Sequence, residues 1–402
     1  MNFRLLGTIL LLCSFSIMSA KSCFTCIKTR DRNGNEVWQL PNGEPCPNLI
    51  QTAVPFLRIA PDARSAGMGD MGIATSPDAA AMHYNAAKLT FMEEDLAFQA
   101  TYTPWLRALN LDDVFLAQLA GNRKLDDNQS IGLELKYFSL GTIQYTDNTG
   151  NPTNQGRPNE FSLAAAYSRK LSRNLGVAIT GKFIYSNLAV GQIVNGIEIT
   201  AGTAGAVDLS VYYDKEMGSR TNPSRLRLGA AITNLGNKIS YSNSVEREFI
   251  PTNLGVGINY EYQIDQYNKI SFGIDFNKLL VPTPPLDSIE IANYDPPGTI
   301  AGMFQSFGDA PNGFSEEIQE IYISTGLEYW YDNQFAVRAG YFHESAAKGD
   351  RRFMTVGVGL KYNVFGLNFS YLIPTNMQQS ALNNTLRFSL IFDLSSSTQE
   401  DI

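Results

Sequence analysis

The run Leu254-Gly-Val-Gly-Ile-Asn-Tyr-Glu261 puts Leu254, Val256, Ile258 and Tyr260 on one parity and Gly255, Gly257, Asn259 and Glu261 on the other. Successive side chains of an extended chain point to opposite faces, so this reads as a strand with one apolar and one polar face. Ile131, Leu133, Leu135 and Tyr137 repeat the rhythm upstream, and Ile270–Phe276, Phe365–Ile373 and Leu386–Leu394 repeat it downstream. The polar parity carries Glu134, Lys136, Asp275 and Arg387 as well as glycines. In a soluble sandwich that parity would meet water and the apolar one would form the core. In a membrane barrel the polar parity would face the lumen and the apolar one lipid. Periodicity alone accepts both.

Counting separates them. Alternation predicts strands at 96–106, 113–120, 130–140, 160–170, 174–188, 205–214, 224–234, 252–262, 268–278, 320–330, 334–344, 352–362, 365–374 and 384–394. That is an even number, and most are close to the ~9–11 residues that a tilted spanning strand needs. The connections alternate too. Leu171–Asn174, Gln263–Tyr267, Asp332–Asn333 and Asn363–Val364 are short, whereas 141–159, 187–204, 235–251 and 279–319 are long. Short periplasmic turns facing long external loops are the outer-membrane pattern. The expected fold is an all-β membrane protein, a 14-stranded antiparallel outer-membrane β-barrel over 96–394, with 395–402 as a C-terminal tail. Charged residues at only 17% and aromatics at 11% suit one strand face in lipid and aromatic rims.

The N-terminus supplies the route. Arg4, the apolar run Leu5–Met18 and the small residues before Ser22 describe a secretory signal peptide over 1–22. The run is shorter than a spanning helix requires, and no later stretch is long and apolar enough for one. A net charge of −8 argues against nucleic acid as a partner, since a phosphate backbone calls for a basic surface.

Residues 23–50 form a cysteine-containing extension with Cys23, Cys26 and Cys46. In an exported chain three cysteines read as one disulfide and an odd thiol. Lipidation of Cys23 would leave Cys26 and Cys46 to pair. A redox-active C-x-x-C lacks its βαβ context here, and a zinc site lacks a fourth ligand. Asn33-Gly34, between two short runs, predicts a tight hairpin.

Between this extension and the strands, Phe56–Phe91 breaks the rhythm: it is small-residue-rich and punctuated by glycine. A compact non-β segment ahead of a barrel is expected to plug it, over 51–95. Gly67-x-Gly69-x-x-Gly72 spells a dinucleotide fingerprint, but neither a preceding strand nor a following helix is there to bring a pyrophosphate onto the backbone. Its glycines read instead as tight turns and close packing. Ser76-Pro77-Asp78 then predicts a helix N-terminus, with Ala79–Ala87 as the helix.

The 279–319 connection holds Pro282, Pro284, Pro285, Pro296, Pro297 and Pro311, so it is not a strand pair. It lacks Lys and Arg, yet Tyr294, Phe304, Phe307 and Phe314 are interleaved with its acids. It reads either as a loop folded over its own barrel mouth or as a docking surface for another protein. Of the two histidines, His83 falls in the plug and His343 at a strand end, and neither G-x-S-x-G nor H-E-x-x-H occurs. Nothing in the sequence makes a case for an enzyme, a cofactor or a metal.

The stretch Val54-Pro-Phe-Leu-Arg-Ile-Ala-Pro-Asp-Ala-Arg-Ser-Ala-Gly-Met-Gly-Asp-Met-Gly-Ile-Ala-Thr-Ser-Pro-Asp78 resembles the start of the PorV family of the type IX secretion system. His83–Leu89 and Thr103–Leu106 fit the same family. The resemblance spans about 51–394, and marks Phe56, Pro61, Asp62, Arg64, Gly67, Gly69, Asp70 and Asn85 as the plug motif. It implies a FadL-like 14-stranded barrel with an N-terminal plug and a non-enzymatic role in the outer membrane. Cargo would be received through its C-terminal signal domain at the translocon and carried to the surface attachment complex, where a PorU-like sortase removes that signal. The 23–46 cysteine segment is not part of that pattern. The alternative is a FadL-like channel for long-chain fatty acids or other hydrophobic molecules. FadL-like plugs usually carry Asn-Pro-Ala where this chain has Asn85-Ala86-Ala87, which counts against that alternative.

Overall fold

The computed structural model describes residues 26–30, 36–43, 46–106, 111–146, 149–194, 196–218, 223–242, 247–286, 294–375 and 385–394. The expected signal peptide, Cys23, the Asn33-Gly34 turn and the C-terminal tail lie outside them.

A small hairpin comes first, β1 (Ile27–Arg30) paired antiparallel with β2 (Glu36–Gln39). The barrel strands are β3 (Leu96–Pro104), β4 (Val114–Asp126), β5 (Gln129–Leu140), β8 (Asn159–Lys170), β9 (Leu175–Asn187), β12 (Gly202–Gly218) and β13 (Pro223–Gly236). They continue with β14 (Asn253–Gln263), β15 (Asn268–Leu279), β16 (Ile321–Tyr331), β17 (Phe335–His343), β18 (Arg352–Tyr362), β19 (Phe365–Pro374) and β20 (Leu386–Leu394). Two connections carry hairpins of their own, β6 (Ile143–Thr146) with β7 (Pro152–Gly156), and β10 (Ile193–Val194) with β11 (Ile197–Glu198).

The fourteen barrel strands form one closed antiparallel ring, in which β20 pairs with β3 through Phe388↔Tyr102 to Leu394↔Leu96. Closure matters because hydrocarbon offers no partner to a free backbone N–H or C=O. Each of the fourteen stretches of alternation became a strand. The largest boundary difference is β4, which runs on to Asp126 although Gly121-Asn-Arg-Lys has little strand propensity. Pairing with β5, down to Lys124↔Ser130, holds that stretch extended.

The two faces of the wall bear out the barrel rather than the sandwich. Leu133 is 62% exposed, while its neighbours Glu134 and Lys136 are 6% and 1% exposed. Phe272, Met354 and Leu390 likewise face outward, and Asp275, Thr355 and Ser389 inward. A polar interior under an apolar exterior is stable only where the exterior meets lipid.

Residues 51–95 fill the lumen, built mainly from single turns. Here the sequence expectation is corrected in place: the α-helical turn is α1 (Ala63–Ala66), while 79–87 holds parts of two 3₁₀ segments, Ala81–His83 and Ala86–Phe91. Asn85 interrupts them with an extended backbone (φ −159°). Its Nδ2 donates to Ile73 O (3.1 Å) and Val211 O (2.9 Å), so contact with the wall overrides the helix propensity of the alanines. Ser76 does not cap a helix, because its hydroxyl accepts from Arg64. The 279–319 connection folds into two short helices, α2 (Thr299–Gln305) and α3 (Phe314–Gln319).

Candidate functional site

Two regions carry the polar chemistry: the seam between plug and wall, and the lobe formed by 294–320 at the long-loop end.

The seam is organised by Arg64, placed on α1 by its N-cap. The Asp62 carboxylate accepts from Ser65 N (2.7 Å), which fixes the turn and projects Arg64 into the wall. Its guanidinium grips Glu328 with two bonds, Nε to Oε1 at 2.9 Å and Nη2 to Oε2 at 2.8 Å. Nη1 reaches Asp78 (2.8 Å) and Ser76 O (3.1 Å). Glu328 also accepts from Arg338 (2.7 Å), which in turn donates to Asn368 (2.8 Å). These side chains lie in the barrel interior, where Arg64 and Arg338 are balanced by Glu328 and Asp78, although Arg338 Nη2 and Asp62 Oδ1 are left without a hydrogen-bond partner. The bidentate Arg64–Glu328 pair is the geometry in which buried charges best recover their desolvation cost.

The glycines bring backbone to backbone. Gly69 has φ +69°, and a Cβ there would sit 2.7 Å from Tyr341 O on β17. Gly340 on the same strand offers its own missing side chain to the Met68–Gly69 backbone. Gly69 N donates to Thr355 Oγ1 (2.8 Å). Gly67 lies against Gly357, where a Cβ would meet Gly357 Cα at 3.2 Å. Gly72 N and Ile73 N both donate to Asp275 (2.8 and 2.9 Å), and Lys88 caps Gly72 O (2.9 Å) and Thr75 Oγ1 (2.8 Å).

The remaining plug-motif residues are structural in placement. Phe56 is wholly buried with Trp105, Phe138, Ile184 and Ile239 in an apolar cluster beneath the long loops. Pro61 is buried just before α1, and Asp70 holds a left-handed φ of +62° at the next turn. His83 packs edge-on against Tyr84, 4.6 Å between ring centres.

At the long-loop end, Lys278 from the tip of β15 and Lys348 from the 344–351 connection hold the lobe. Lys348 reaches Glu316 (2.5 Å) and Glu320 (2.9 Å), and Lys278 reaches Glu317 (3.0 Å) and Glu320. Thr283 adds a hydroxyl bond to Glu320 (2.7 Å). Burial raises the Glu320 carboxyl, but bonds from Lys278, Thr283 and Lys348 outweigh it and hold it below the usual carboxylate range. Asp309 goes the other way: burial pushes it up to about 6 despite a bond from Thr283 N. With its acids facing inward, the lobe turns its apolar residues out. Phe314 is 79% exposed and Phe304 68%, with Phe307, Ile300 and Ile318 each above half and Tyr294 at 37%. The sequence had singled out Tyr294, Phe304, Phe307 and Phe314, with Ile300 interleaved among them, and the helical spacing adds Ile318, four residues from Phe314.

Cys26 and Cys46 are joined by a disulfide. Sequence reasoning passed over Glu328, Arg338, Lys278 and Lys348. They were visible only as polar residues on the inward parity or in a connection, because their partners sit on other elements, from 10 to 264 residues away.

The lumen near the plug is lined by further charge: Lys182 with Asp208 (2.7 Å), and Arg227 with Asp214 (3.3 Å) and Glu261 (3.0 Å). An apolar hollow of about 330 Å³ lies instead on the outer wall, among Val211, Leu228, Ala230, Val256 and Phe276.

The family described as type IX secretion system protein PorV matches residues 44–286. No curated protein matches the chain. Among solved structures, the Ralstonia pickettii toluene transporter TbuX is similar over 83% of this chain and 98% of its own, at 13% identity and a TM-score of 0.47. A Pseudomonas putida toluene transporter, TodX, covers 83% and 98% at 11% identity and 0.48. A Pseudomonas aeruginosa FadL homologue covers 87% and 100% at 10% identity and 0.41. At those scores the likenesses carry no inference about what this barrel handles.

Proposed function

The chain belongs to the PorV family of type IX secretion system proteins, and from that premise we propose that it is the outer-membrane carrier of exported cargo. It receives cargo by its C-terminal signal domain at the type IX translocon and hands it to the surface attachment complex, where a PorU-like sortase removes that signal. Its own export uses residues 1–22 as signal peptide. The role is transport, not catalysis.

The observation that supports this reading best is the lobe at 294–320. Ile300, Phe304, Phe307, Phe314 and Ile318 are each more than half exposed on the long connection beyond β15, at the end of the barrel that long loops turn outward. Large apolar side chains clustered on a water-facing surface mark a protein-interaction site. The ionic network beneath the lobe holds it ordered, so docking loses little entropy. Tyr294, Phe304, Phe307 and Phe314 form the surface that meets the translocon or the attachment complex. The fatty-acid channel has less support, because the lumen beside the plug is taken up by Arg64, Glu328, Arg338 and Lys88 rather than by an apolar pocket.

The test is deletion and complementation in the native host. Without the protein, cargo accumulates in the periplasm; normal cargo at the surface would end the proposal. A Phe304→Ser, Phe307→Ser, Phe314→Ser variant that still assembles as a barrel is expected to leave cargo undelivered and to lose co-purifying system components.

A further inference from the structure

The course of the chain ahead of β3 has a consequence for which side of the membrane it starts on. Six turns, among them Asp127-Asn128 and Asp332-Asn333, lie at one end of the barrel together with the start of β3 and the end of β20. The seven longer connections lie at the other. At the short-turn end the plug's last residues are tied down, with Lys124 Nζ donating to Glu93 O (2.7 Å) and Lys361 to Glu94 (3.1 Å). Ahead of the plug's turns, the chain is tied to the long-loop end. Ala53 N donates to Phe249 O (2.9 Å), and Asn48 N to Ala347 O (2.8 Å). Asn48 Nδ2 reaches Pro284 O (3.2 Å) and Glu316 Oε1 (3.3 Å). Trp38 N donates to Asn312 Oδ1 (2.8 Å), and Asn312 Nδ2 returns a bond to Trp38 O (3.4 Å). Residues 48–95 therefore thread the lumen from one mouth to the other.

Glu316 is where these strands of contact meet. Its Oε1 takes bonds from Asn48 and Lys348, and its Oε2 takes Asn312 N (3.0 Å). Glu316 lies in the first turn of α3, which begins at Phe314 and carries Ile318. The buried Cys46 stands two residues before Asn48, so the disulfide closes the β1–β2 hairpin directly against this junction.

We propose that the hairpin closed by Cys26 and Cys46 sits on the cell-surface face of the barrel and works as a clasp, holding α3 and the apolar lobe in the presented conformation. The chain enters the lumen from outside and reaches the periplasmic rim only at the start of β3. The clasp rests on the reading of the lobe as a docking surface only for its purpose. Its placement stands on the contacts together with the outward orientation of long loops in outer-membrane barrels, and its mechanical effect on the contacts alone.

The first test places an epitope tag between Asn42 and Gly43, an exposed turn where Gly43 has open space around it. A matched tag goes in the Asp127-Asn128 turn. An antibody that does not cross the membrane is expected to label intact cells at the first site and to label the second only after permeabilisation. Labelling of the Asn42–Gly43 tag only in permeabilised cells would overturn the inference. The second test uses Cys26→Ser with Cys46→Ser, and separately Asn312→Ala, which cuts the Trp38 contact without touching the disulfide. Hydrogen exchange over 299–320 is expected to quicken about tenfold in both while the barrel strands keep their protection. Unchanged exchange of the lobe in Asn312→Ala refutes the clasp even if the cysteine variant fails to assemble. Normal cargo delivery and unchanged co-purification by the Phe variants, with both tests positive, would sink the functional reading and leave the clasp.

Discussion

A few residues decide whether plug and wall form one body, and Arg64 is foremost. Its guanidinium spans 264 residues of sequence to reach Glu328 and a further short step to Asp78. Arg64→Ala leaves Glu328 to Arg338 alone and strips Asp78 of its cation. Removing one member of a buried ion pair costs about 3–5 kcal/mol, so the variant is expected to release the plug at markedly lower urea. Exchange of the 62–78 amides checks it, and unchanged exchange would mean that the pair is idle. Gly69 is a second such point, since its φ of +69° and the approach of Tyr341 O leave no room for a side chain. Gly69→Ala is expected to lower stability by about 1–3 kcal/mol. Gly181→Ala, where a Cβ meets nothing within 4 Å, should be close to neutral in the same melt. None of the Arg64 partners was legible in the sequence. A charge on the inward parity shows its direction but not its opposite number, which is set by how the plug packs.

Among elements, the lobe differs from the strands in responding to pH. Glu320 titrates below its ordinary value of 4.5 when folded, so its bonds stabilise the lobe above that pH and are lost as pH falls through the lowered value. Asp309 titrates at about 6 against an ordinary 3.8, so its burial costs nothing below 3.8 and its full cost is felt above about 6. Taken together, protection of 299–320 is expected to be greatest below about pH 4.5 and to decline from there to about pH 6, after correction for intrinsic exchange. Asp309→Asn should abolish the decline toward neutral pH and leave the acid side intact. A profile of unaltered shape in that variant would show that another group sets the alkaline limb. The strands were readable because a period of two needs no knowledge of neighbours. The helix expected at Ala79–Ala87 was not, because the Asn85 side chain binds Val211 O on β12, and that bond outranks alanine's propensity.

At the scale of the whole molecule, the protein is an outer-membrane barrel of the PorV family whose lumen is occupied along its length. Ionic and backbone contacts join the plug to β15–β20 on one side, and Asn85 and Ala87 bond to β12 on the other. The purified protein is therefore expected to show no steady conductance in planar bilayers. Deletion of 51–91, with the barrel strands retained, should open a conducting pore. Steady conductance by the intact protein would show that the plug is displaced at rest.

Strand number, the alternation of short and long connections, the plug and the family were all present in the chain of residues, because each depends on local period, turn chemistry or a contiguous motif. Which inward charges pair was not. Arg64 and Glu328 stand 264 residues apart, and only the packing of the plug against the wall brings them together. The mouth at which the N-terminal segment enters was also decided in three dimensions, by Asn48 and Trp38 finding Ala347, Glu316 and Asn312 at the far end of the barrel. Those bonds join residues up to 299 positions apart (48 to 347). No local pattern encodes such a distance; packing alone selects it.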